Sequence, residues 1–72
     1  MERPYIRISY NISELLWARH MTQRELAKKA GVSYSVLSGY MRGLHDPSAT
    51  RLKKIARALG CSVDELLKGV GE

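Results

Sequence analysis

Gln23-Arg24-Glu25-Leu26-Ala27-Lys28-Lys29-Ala30-Gly31-Val32-Ser33-Tyr34-Ser35-Val36-Leu37-Ser38-Gly39-Tyr40-Met41-Arg42 is the stretch that decides the fold. It reads as two short helices joined by Gly31-Val32-Ser33. A connection this short forces the helices to cross steeply, at about 90–120°. Such a crossing needs a small side chain where the backbones approach, and Ala27 supplies it. The turn needs a residue at ease with positive φ, and Gly31 is one. Val32 follows as an apolar plug. Leu26, Ala27 and Ala30 face inward from the first helix. Leu37 and Tyr40 anchor the second, with Val36 at its edge.

Working outward, Thr22 and Glu25 have the spacing of a capping box at the start of the first of these helices. Ser33 caps the second, which runs to about Arg42 and ends at Gly43. Leu44 to Pro47 form a loop. Ser48 then caps a helix whose apolar stripe is Leu52, Ile55, Ala56 and Leu59, and Gly60 stops it. Ser62 and Glu65 make another capping box, followed by the apolar face Val63, Leu66 and Leu67. Upstream, Asn11 and Glu14 share the same spacing and open a helix from about Ile12 to Arg19. Its face is Ile12, Leu15, Leu16 and Arg19, and His20 takes a left-handed position at its end. Residues 4–10, Pro-Tyr-Ile-Arg-Ile-Ser-Tyr, alternate in character and are rich in aromatic and β-branched types, which predicts extended chain. A lone strand is not stable by itself, so this arm must pack on the domain or pair with another chain. The expected architecture is all-α. It comprises a compact five-helix bundle over residues 11–68, an extended N-terminal arm over 1–10, and a frayed end over 69–72.

A chain of 72 residues is one domain, with room for a modest core and little for a deep catalytic pocket. The apolar fraction of 44% supports a core, which must be mostly aliphatic because there is no Phe. A formal net charge of +5 favours a polyanionic partner. The single cysteine, Cys61, rules out an intramolecular disulfide and suits a reducing cytosol; it reads as a small core residue. Apolar runs fall far short of the roughly 20 residues that cross a bilayer, so a soluble cytoplasmic protein without a membrane partner is expected. His20 and His45 lack a third ligand at suitable spacing, so no metal is expected, nor any other cofactor. Paired carboxylates, a nucleophile triad and a phosphate loop are missing from the pattern, so the chain does not read as an enzyme.

The run from Met21 to Gly43, with Pro47-Ser48 and then Leu52 to Leu67, resembles the helix-turn-helix family of phage repressor and Cro proteins, the Cro/C1 or XRE-like family. The resemblance covers about residues 11–68. It implies a lambda-repressor-like domain that binds double-stranded operator DNA, commonly as a homodimer, to regulate transcription. A major groove about 12 Å wide admits a helix. In the family the first residues of the second motif helix contact bases. These positions match Tyr34 and Ser35, with Ser38 and Gly39 one turn on. The family's Gln at the start of the first motif helix matches Gln23, which is expected to hold a backbone phosphate beside the helix N-terminus. Lys28, Arg42 and His45 are the other expected phosphate-binding residues.

Three departures from the family pattern stand out. Gly39 occupies a place where relatives often carry a long polar or basic side chain. It removes one base reader, costs roughly 1 kcal/mol of helix stability relative to Ala, and is expected to let the backbone approach DNA closely. Leu16 and Met41 stand where many relatives pair an Arg with a Glu, so an apolar contact is expected there. Trp17 lies off the apolar stripe near Tyr5 and Tyr10, and the N-terminal arm is expected to fold over it, with a dimer contact as the alternative. The competing functional reading is an antitoxin-like or adaptor module that uses the same fold to bind a protein partner, a toxin or a co-regulator.

Overall fold

A computed structural model describes the backbone of residues 4–70 and the side chains of residues 7–70. Five helices follow one another: α1 (Pro4–Ala18), α2 (Gln23–Ala30), α3 (Tyr34–Met41), α4 (Ala49–Leu59) and α5 (Val63–Leu66). No strand occurs among the described residues.

The helices end where the local chemistry says they should. At four places the chain closes with the same paired bonds, one reaching back three residues and the next reaching back five. His20 and Met21 bond the Trp17 and Leu16 carbonyls at 3.2 and 3.0 Å. Gly31 and Val32 bond Lys28 and Ala27 at 3.3 and 3.0 Å. Gly43 with Leu44, and Gly60 with Cys61, repeat the arrangement. This satisfies carbonyls that the helix leaves without partners. His20 adopts φ 52°, the left-handed conformation expected of it. Thr22, Ser33, Ser48 and Ser62 then cap α2, α3, α4 and α5, each accepting from the backbone N–H three residues on. Both reciprocal capping boxes, Thr22 with Glu25 and Ser62 with Glu65, are formed.

Two expectations at the N-terminus need correction. Residues 4–10 are not an extended arm; they are the first turns of α1. Ile8 is 5% exposed and Ile12 wholly buried, and with Leu15 and Leu16 they form one stripe at helical spacing. The Ile6/Ile8 alternation that suggested a strand is outweighed by this longer period. Asn11 is therefore inside the helix and does not cap it. Its side-chain amide donates to the carbonyls of Leu66 and Lys68, both at 2.8 Å, and so closes the C-terminal end of α5. Glu14 instead bonds Tyr10, one turn back, which raises the Tyr10 hydroxyl above its ordinary pKa. The expectations for residues 1–3 and 71–72 lie outside the described residues, while Val70, expected to fray, packs against the core and donates its N–H to the Leu67 carbonyl at 2.9 Å.

The core sits where the five helices converge. Ile12, Leu26, Leu37, Ile55 and Leu66, one from each helix, are its fully buried large side chains. Burying each contributes about 1.5–3 kcal/mol relative to exposure. Ala27 and Ala30 let α2 lie close to its neighbours, and Ala56 does the same on α4. Leu16 is buried and Met41 half-buried against this core, consistent with an apolar α1–α3 contact. Cys61 is half-buried at its edge, and desolvation holds its thiol above the ordinary range.

Candidate nucleic-acid interface

The helices α2 and α3 place a polar surface opposite the core. Gly31, at φ 69°, turns the chain out of α2, and Ser33 starts α3 two residues later. From that start the two faces of α3 diverge. Leu37 and Tyr40 go fully inward. Tyr34 and Ser35 remain exposed, Tyr34 by 41%. Ser38, one turn on, is half-buried, which leaves less of it to present than its spacing suggested.

Gln23 is the first residue of α2 and is half-buried beside the helix N-terminus. Lys28, Arg42 and His45 are all exposed. Arg42 is the cap of α3 and follows directly on its last turn. Tyr34, Ser35, Gln23, Lys28 and Arg42 are thus on the accessible surface of α2, α3 and their ends.

Gly39 is different and corrects the sequence reading. It is buried, not exposed, because the His45 imidazole covers it. The α3 backbone is therefore not open to close approach at that point. His45 also packs against Tyr40, ring centroids 4.8 Å apart and nearly perpendicular, an edge-to-face contact.

Two further side chains join this surface. The Arg24 guanidinium lies 4.2 Å from the Tyr34 ring centroid, a cation–π contact from α2 to the start of α3. It adds a charge next to Tyr34 and restrains the ring. Arg51, in the first turn of α4, donates to the Tyr40 hydroxyl at 2.9 Å. That bond satisfies the polar tip of a buried tyrosine and ties α4 to the end of α3. Arg24 and Tyr34 are separated by the Gly31 turn, and no local spacing rule pairs them.

The Trp17 expectation also changes. Residues 4–10 continue along α1 and do not return over the indole, which is 82% exposed. Among the described residues no group of His, Cys, Asp and Glu suits a metal, and no helix is long and apolar enough to cross a membrane.

A domain in which two short helices meet across a Gly-Val-Ser turn, with the second showing a polar face above a buried aliphatic one, is a helix-turn-helix protein. The chain belongs to the Cro/C1-type, XRE-like helix-turn-helix family, whose model matches residues 12–66. It is 44% identical over 52 residues to an uncharacterized HTH-type transcriptional regulator of Mycobacterium tuberculosis, an alignment covering 72% of this chain and 37% of the relative. The chain thus spans well under half the length of that relative. It is 32% identical over 65 residues to another such regulator of Sinorhizobium fredii, covering 90% of this chain and 84% of the relative. Among solved structures it is similar to the restriction-modification controller protein C.AhdI from Aeromonas hydrophila, with TM-score 0.82 and 29% identity over 86% of this chain and 94% of that one. It is also similar to the clp gene regulator ClgR from C. glutamicum, with TM-score 0.87 and 28% identity over 94% and 88%.

Proposed function

We propose that the chain is a sequence-specific double-stranded DNA-binding transcriptional regulator that sets α3 in the major groove and acts in the cytoplasm as a homodimer. The observation that carries this reading is the division of α3: Leu37 and Tyr40 are sealed in the core while Tyr34 and Ser35 lie exposed on the surface. Base edges are read in the groove by such a free face. Tyr34, Ser35 and Ser38 are the proposed base-contacting residues from α3. Gln23, Lys28 and Arg42, with Arg24 joining them, are the proposed phosphate contacts. A net charge of +5 supports association with a polyanion. The relatives' description as transcriptional regulators supports the regulatory role.

The test is selection from a random pool of duplex DNA, followed by binding at several salt concentrations. A dimer is expected to select two half-sites about one helical turn apart. Arg42→Ala is expected to weaken binding to specific and random duplexes alike and to lower the salt slope by about one. Selection of no sequence over the random pool would reject sequence-specific binding.

A second reading, an adaptor or antitoxin-like module that binds a protein, draws support from Trp17 and from the 52% exposure of Tyr10 on the same helix. A defined protein partner whose binding perturbs Trp17 fluorescence, and which competes with the selected duplex, would favour it.

A further inference from the structure

The strip of α3 that begins at Ser35 reaches Gly39 four residues later, on the same face of the helix. There the helix offers no side chain, and one from outside the helix occupies the space. A methyl group built on Gly39 would collide with His45 Nε2 and come within 3.1 Å of Cε1 and 3.2 Å of Cδ2. The imidazole therefore stands tip-first where a side chain at position 39 would begin.

Two contacts hold it there. The Leu44 N–H donates to the Gly39 carbonyl at 2.9 Å, which folds the chain back against α3 immediately before His45. The ring then meets Tyr40 edge to face, and Tyr40 is itself buried and fixed through its hydroxyl by Arg51. His45 nevertheless remains exposed while Gly39 beneath it is buried.

We propose that His45 is a specificity-determining residue. Seated on Gly39, it reads a base edge in the major groove in place of a side chain from α3 itself. The proposal rests on the DNA-reading role of α3 set out above. With Nε2 turned onto Gly39, Nδ1 is the ring nitrogen left to bond a base, as donor or acceptor according to tautomer, and purines present N7 and a neighbouring donor or acceptor in that groove. The packing of the ring on Gly39 and Tyr40 limits what must be ordered when DNA binds. The glycine becomes a requirement of this arrangement, because any Cβ at position 39 displaces the ring. That accounts for a mid-helix Gly kept despite its cost of roughly 1 kcal/mol.

The experiment measures affinities for every single-base-pair variant of the selected site, and for random duplex, with the intact chain and with H45A, G39A and G39A/H45A. H45A is expected to reduce discrimination at one base pair per half-site about tenfold, the size of one lost hydrogen bond to a base. Affinity for random duplex should stay within about twofold, since no phosphate contact is removed. G39A is expected to flatten the same base pair by evicting the ring, and H45A added to G39A to change nothing further. Thermal melts of all four proteins separate these effects from unfolding, and G39A retains the helix because Ala favours it. An equal loss on specific and random DNA with H45A would make His45 a backbone contact and overturn the inference. So would full discrimination by G39A. If the intact chain selects no site, the DNA-reading of α3 fails and this inference with it. A site whose base preferences survive H45A overturns this inference alone.

Discussion

Thr22 with Glu25 and Asn11 with Glu14 present the same spacing of cap and acid, yet the first opens a helix and the second lies inside one. The difference comes from what precedes each pair. Two residues before Thr22, His20 has already ended α1 in the left-handed conformation, so there is no helix left to continue. Gly31 precedes Ser33, and Gly60 precedes Ser62, in the same way. Ser9, two residues before Asn11, provides no such stop. Ile8 extends the Ile12/Leu15/Leu16 stripe backward by a turn, and burial of that face outweighs the bond a cap would make. A cap signature therefore predicts a helix start where a stop signal stands before it. Asn11 also has a long-range use, holding the carbonyls of Leu66 and Lys68 at the far end of the chain.

The sharpest way to break this comparison is at Ile8. Ile8→Ala is expected to destabilise the protein by about 2–5 kcal/mol, the usual range for truncating a buried Ile. The whole domain has only roughly 4–11 kcal/mol at ordinary per-residue stabilities. Urea unfolding should show the midpoint falling steeply. A loss below about 0.5 kcal/mol would return residues 4–10 to the status of an arm outside the core.

Asn11→Ala should have the next largest effect, about 1–3 kcal/mol, because it removes both amide donors from the end of α5. Thr22→Ala, the loss of a true cap, should cost about 0.5–2 kcal/mol. The two are best distinguished by hydrogen exchange. Asn11→Ala should loosen amides near α5, 55 residues away in sequence, whereas Thr22→Ala should loosen only the first turn of α2. Local loosening around Asn11 alone would mean that its reach to α5 contributes little.

The proposed binding surface divides along the same line between local and long-range signals. The exposure of Tyr34, Ser35, Lys28 and Arg42 was legible because each lies on a helix or helix end whose inward face is fixed by nearby apolar spacing. Gly39 was misread for the reason that misplaced Asn11: the residue that covers it, His45, comes from a loop, and no periodicity within α3 reveals it. The Arg24–Tyr34 and Tyr40–Arg51 contacts escaped for the same reason, each joining two helices across a turn or a loop. Gly31, by contrast, was legible from the turn it must make. Gly31→Ala meets no atom within 4 Å, so its whole cost is backbone strain at φ +69°. The melting temperature should fall by the equivalent of about 1–2 kcal/mol. Unchanged stability would mean that the α2–α3 turn is not held in that conformation.

The smallest expected effect tests the two faces of α1 against each other. Ile12 is fully buried and Trp17, five residues on, is 82% exposed, so one helix carries an enclosed side chain and a bare aromatic. If nothing in the protein covers the indole, Trp17→Ala should shift stability by no more than about 0.5 kcal/mol, as for an ordinary surface position. That value should be the same at low and high protein concentration. A penalty that grows with concentration would show that a second copy buries the indole, since a partner that binds only the folded state stabilises it by mass action. A penalty above about 1 kcal/mol at every concentration would instead place Trp17 against its own chain, and the helical course of residues 4–10 would then be wrong.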